Sequence, residues 1–153
     1  PVAYVYGQDY YIDDCVCDNG LPNVVDARLT EILVRDKVKS CRFESNSAGR
    51  RVAEKIQEEV KKKNGVTHIT TKFTTANKEK IIVNSAWVKE HCLFKDASLY
   101  QKKSDYGKMM DMLCSYTVAG KNKHDDVPDG MAMLAEYAQS LSGQKVEIFQ
   151  RPW

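Results

Sequence analysis

Strand-like runs and stretches of helical hydrophobic spacing alternate along this chain, and their order limits the folds open to it. Residues 2–7 (VAYVYG) and 10–17 (YYIDDCVC) are rich in β-branched and aromatic side chains, with Gln8-Asp9 between them, which predicts a β-hairpin. Val25, Leu29, Ile32 and Leu33 then recur at helical spacing through residues 23–37, with Pro22-Asn23 as a start signal. A short strand is expected at 38–44 (VKSCRFE), followed by a helix with Ala48, Val52, Ile56 and Val60 inward. Lys61-Lys62-Lys63-Asn64-Gly65 suits the end of that helix, with cations on the negative pole and a terminal glycine. Another strand is expected at 66–73 (VTHITTKF), then a helix through Ile81, Ile82, Ser85, Ala86 and Cys92. A helix over about 104–117 places Tyr106, Met109, Met110 and Leu113 on one face. Val127, Met131, Leu134, Ala138 and Leu141 mark a last one. The order strand, strand, helix, strand, helix, strand, helix, helix, helix predicts an α/β domain with a mixed sheet over residues 1–145. Residues 146–153 read as a final strand or an unstructured tail.

The 153 residues suffice for one domain with its own core, and 29% charged against 42% hydrophobic residues argue against disorder. A formal net charge of +2 excludes little, because a nucleic-acid surface needs local rather than global basicity. No apolar run is long enough to span a bilayer and no signal peptide is present, so a cytoplasmic setting with no membrane partner is expected. Five cysteines, an odd number scattered through apolar segments, fit reduced thiols better than a disulfide framework. Cys15 and Cys17 have no second pair to close a zinc site and read as core or sheet-face residues. Gly120-Lys121-Asn122 imitates only the end of a phosphate-binding loop, since Ser115 stands where its first glycine belongs.

Chemistry concentrates in two places. Asp125, Asp126 and Asp129 fall within five positions, after Lys121, Lys123 and His124. With a helix starting near Asp126 and Pro128 in its first turn, these acids share one surface at i,i+3 and i,i+4. Asp126 as N-cap, with Asp129 in a capping-box-like place, would explain two acids and neither lysine. Clustered carboxylates beside cations are also what hard metals and phosphate require together. The second locus is Glu44 at a strand end, followed by Ser and Asn residues and then Arg50 and Arg51, which also suits a capped surface helix. Asp13 and Asp14, late in the second strand, are fallback acids.

The blocks F-E-S-N-S-A-G-R-R-V-A-E-K-I at 43–56, T-T-A-N-K-E-K-I-I at 74–82 and G-K-N-K-H-D-D-V-P-D-G-M-A-M at 120–133 resemble the nuclease domain of tailed-phage terminase large subunits. The resemblance runs in order over nearly the whole chain. It implies a ribonuclease H-like fold, a central mixed sheet flanked by helices, and an endonuclease that cuts concatemeric double-stranded viral DNA. It further implies an upstream ATPase domain, a portal and a small terminase subunit as partners, and two Mg²⁺ or Mn²⁺ ions. By matching motifs, Glu44 is the second metal-binding acid and Asp126 or Asp125 the third, with Asp129 as a further contributor. The family's first acid lies on a strand before the hairpin, so its place here is upstream of Pro1, and weak metal binding and poor cutting are expected of these residues alone. Lys121, Lys123 and His124 would touch phosphate or tune the third acid. Arg50, Arg51, Lys78 and Lys80 would contact the DNA backbone. The competing readings are a non-catalytic module that docks DNA or the portal, and a ribonuclease H-like recombination nuclease.

Overall fold

A computed structural model describes residues 1–46, 48–74, 78–120, 122 and 125–142 of the chain. It is an α/β structure whose strands form a small mixed sheet and a separate parallel pair. Strands β1 (Val2–Tyr6) and β2 (Asp9–Asp14) are antiparallel, joined at Gly7-Gln8. Gly7 takes a φ of +62°, a conformation that a hairpin turn demands and a side chain resists. Strand β2 ends at Asp14, so Cys15 and Cys17 lie just beyond it rather than inside it.

Helix α1 (Pro22–Arg35) starts with its proline in the first turn, where the missing N–H costs no bond. Strands β3 (Ser40–Glu44) and β4 (His68–Lys72) are parallel and flank helix α2 (Gly49–Lys62) in sequence. Ala53, Ile56 and Val60 are the buried face of α2. Ile56 and Val60 close on Leu33 of α1, with Phe43 and Ile69 from the strands around them. Each such side chain contributes about 1.5–3 kcal/mol relative to remaining exposed. The end of α2 differs in detail from the sequence expectation. Asn64, not Gly65, takes the left-handed conformation (φ 56°), and the Gly65 N–H bonds the Val60 carbonyl at 2.8 Å.

Helix α3 (Lys78–His91) runs directly into β5 (Cys92–Phe94), which pairs parallel with β2. The helical spacing of residues 81–92 concealed this strand, because its three residues are too few to show a period of their own. Helices α4 (Asp105–Ser115) and α5 (Asp126–Ser142) complete the described fold. Ile12, Cys92, Tyr106, Met109 and Met131 form a second core beneath β1, β2 and β5. On α5 the expected Met131 and Ala138 are buried, while Leu141 is 45% exposed and Ala132 and Ala135 are buried instead. Those small side chains let α3 approach closely, and Gln139 Nε2 reaches Asn84 Oδ1 across the contact at 3.2 Å.

The single central sheet expected from the sequence is therefore two sheets among the described residues. One strand of each, β1 and β3, borders one groove of ≈ 240 Å³, whose wall includes Ala3, Val5, Cys41 and Arg42. Helix α5 joins the two halves. The Arg42 guanidinium stacks 3.9 Å over the Tyr137 ring, and Lys72 Nζ meets Glu136 Oε2 at 3.0 Å.

Candidate functional site

Glu44 is the last residue of β3, and the turn behind it is unusually tight. The Gly49 N–H bonds the Asn46 carbonyl at 2.8 Å, and a Cβ on Gly49 would lie 2.0 Å from the Glu44 carbonyl oxygen. Only glycine permits that approach. The Glu44 carboxylate accepts a short hydrogen bond from the Thr74 hydroxyl, and Asn46 Nδ2 donates to the Thr74 carbonyl at 2.7 Å. Thr74 is buried and follows β4, whose end pairs with that of β3. Thus Glu44 and Asn46 are both held by the residue that opens the 74–82 block.

The 120–133 block meets the 74–82 block from α5. Asp125 precedes the helix, and its carbonyl accepts the Asp129 N–H at 2.9 Å, so it is Asp125 rather than Asp126 that stands at the cap position. Pro128 is buried in the first turn, as its position predicts. Asp125 and Asp126 are exposed. Asp129 is not: its side chain is 20% exposed and its Oδ1 lies 2.9 Å from Lys80 Nζ, itself on a side chain only 8% exposed. Lys80 is in the first turn of α3, and its carbonyl accepts from Asn84 Nδ2 at 2.9 Å. The three blocks are therefore linked by side chains, Glu44 and Asn46 to Thr74, and Lys80 to Asp129. Asp129 and Glu136, seven residues apart, share a face of α5, and Glu136 bonds Lys72, the β4 partner of Glu44.

Asp126 has other neighbours. It borders a depression of ≈ 260 Å³ shared with Pro1, Cys17, Asp18 and Met109. Burial, reinforced by Asp105, pushes the Cys17 thiol up, with a smaller push from Asp126. Burial likewise raises Cys15 to about 12, and Cys41 and Cys92 to about 11 each, so these are resting thiols rather than nucleophiles or ready metal ligands. Asp13 and Asp14 are engaged in ion pairs, with Lys95 at 2.9 Å and Arg35 at 2.6 Å.

Of the expected DNA-contacting residues, Arg50, Arg51 and Lys78 are exposed, and Arg50 borders a depression that also contains Glu54 and Glu58. Lys80 is not presented to solvent but turned onto Asp129, because an ammonium this far from water requires a carboxylate partner. Lys121, Lys123 and His124 lie outside the described residues. The oxygen-only donors suit a hard divalent cation. Their number does not: among the described residues no three of His, Cys, Asp and Glu gather as a metal cluster. Asp129 is moreover already neutralised by Lys80. As they stand, these residues do not complete a metal site.

Sequence reasoning missed Thr74, Asn46 as its partner, and the pairing of Lys80 with Asp129 across 49 positions. The run T-T-A-N-K was visible, but nothing in it announced which acid each member would meet. Among the described residues no helix is long and apolar enough to cross a membrane. No protein-family model, curated protein or solved structure matches the chain.

Proposed function

We propose that this chain is the nuclease part of a DNA-packaging terminase large subunit, a ribonuclease H-like endonuclease that hydrolyses phosphodiesters of double-stranded DNA with divalent cations. The observation that carries the reading is the meeting of the three blocks. Glu44, at the end of a parallel strand pair, is hydrogen-bonded to Thr74, and Asp129, at the start of α5, is paired with Lys80. Acids on separate elements, each tied to the 74–82 block, with Arg50, Arg51 and Lys78 exposed, support phosphate chemistry over a plain helix cap.

The reading needs a further oxygen donor at this site, since no three ligating side chains gather among the described residues. The shortage of donors and the neutralised Asp129 favour the second reading, a module that docks DNA or the portal while another domain does the chemistry.

Plasmid nicking by this chain across a series of divalent metals separates the two. The nuclease reading expects weak nicking with Mn²⁺, less with Mg²⁺, and none in Glu44→Ala or Asp129→Ala variants that still melt cooperatively. Inertness in every metal, or alanine variants that nick as well as the parent, would leave docking. DNA affinity should fall steeply with salt under either reading. Replacing Arg50, Arg51 and Lys78 by alanine should weaken binding to unrelated duplexes alike, as backbone contacts require.

A further inference from the structure

A cavity of ≈ 430 Å³ opens between α3, α4 and α5, and neither Glu44 nor Thr74 borders it. Its wall is mostly apolar and includes Ile81, Val88, Phe94, Met110, Leu113 and Met131. Apolar space of this size is poorly wetted and suits the apolar body of a small ligand. The polar groups at the wall decide what else that ligand needs. Asn84 is engaged on both sides of its amide, by the Lys80 carbonyl and by Gln139. The Ser85 hydroxyl donates to the Ile82 carbonyl at 2.7 Å. Tyr116 is different, because its hydroxyl is buried with no hydrogen-bond partner. Such a group is costly to leave unpaired, and an acceptor oxygen removes the cost. Lys89, in the last turn of α3, is an exposed cation at the same wall, and no acid among the described residues lines it.

We propose that this cavity binds a small amphipathic carboxylate, an apolar chain or ring that carries one anionic head. The apolar body lies among the side chains of α3, α4 and α5, where it fills space that the protein leaves open. The Tyr116 hydroxyl donates to an oxygen of the ligand. Lys89 sets the sign of charge that the wall accepts, since it is the charged residue there and stands without an acid beside it in the lining. A cationic amphiphile meets repulsion at Lys89, and a hydrocarbon without oxygen leaves Tyr116 unpaired. No metal and no phosphodiester takes part, so this site and the nuclease reading stand or fall separately.

The test is a titration of the methionine-methyl-labelled protein with decanoate, decanol and decylammonium, followed by NMR below the micelle-forming concentration of each, with a thermal melt of each variant. The methionines report position: Met110 borders this cavity, Met112 the depression beside Asp126, and Met133 the groove beside β1. Decanoate should shift the Met110 methyl saturably, leave those of Met112 and Met133 in place, and bind more tightly than either other probe. Lys89→Gln should lower decanoate affinity by about two- to five-fold, as loss of one exposed charge pair does, and leave decanol unchanged. Tyr116→Phe should weaken decanoate by about two- to ten-fold. It should not lower the melting temperature, because no hydrogen bond of the free protein is lost. Ala132→Leu fills the cavity from α5 and should abolish the Met110 shift. Should that variant fail to melt cooperatively, Ile82→Asp at the exposed part of the wall carries the same expectation. Absence of binding, equal shifts at all the methyls, or a grip on decylammonium or decanol as tight as on decanoate would overturn the proposal. So would undiminished decanoate binding by Tyr116→Phe.

Discussion

Gly49→Ala sets two physical effects against each other, and the structure decides the sign. Gly49 is the first residue of α2, and alanine is favoured over glycine inside a helix by about 1 kcal/mol. A reading from helix propensity alone thus expects stabilisation. The added Cβ, however, would lie 2.0 Å from the Glu44 carbonyl oxygen and 3.0 Å from its carbon. That neighbour is backbone at the end of a paired strand, not the tip of a movable side chain, so the strand end itself must shift. Overpacking of this kind costs about 1–3 kcal/mol and sometimes more. The helix gain is partial at a first-turn position, which leaves a net loss on the order of 1–2 kcal/mol. For a domain of this size that lowers the melting temperature by roughly 2–8 °C. Urea denaturation and thermal melts of parent and variant measure it directly. The displacement should also disturb the Glu44 contact with Thr74, so Thr74→Val should cost less in the Gly49→Ala background than in the parent. An unchanged or raised midpoint would refute the close approach, and with it the claim that this glycine sets the position of Glu44.

Two further outcomes follow from the cores and the ion pairs. Burial alone would raise the Asp105 carboxyl, but the Cys17 N–H at 3.0 Å and Arg28 at 2.5 Å outweigh it and hold the pKa below the ordinary range. A depressed folded value means that its stabilisation is present above the unfolded pKa and is lost as pH falls through the folded one. Melting temperature should thus fall as pH drops below about 4, and Asp105→Asn should flatten that part of the profile; parallel slopes would refute it. Tyr106→Phe should cost about 1–3 kcal/mol in denaturant unfolding, since the hydroxyl donates to the Ile12 carbonyl and accepts the Lys95 N–H, each at 2.9 Å.

Much of the fold was legible because the signals that specify it are local. Strand-like runs predicted β1, β2, β3 and β4, and spacings of three and four predicted every described α-helix though not the short 3-10 turn at Ala97–Leu99, Pro22 and Pro128 falling where a helix start tolerates them. The three-residue β5 was hidden, since Cys92 also fits the helical series before it. The separation of the strands into two sheets was not legible either. Which strand edges meet depends on what lies between them, and no periodicity records a neighbour. The site divides the same way. Glu44 at a strand end and the acids at a helix start could be read from residue type and position, because capping and charge placement act within a few residues. That Thr74 would hold Glu44 was decided by the pairing of β3 with β4, and that Lys80 would turn inward onto Asp129 by the packing of α3 on α5, while Asp126 borders the depression that contains Cys17. A buried ammonium takes whichever carboxylate the fold brings within reach, and here that partner lies 49 residues away.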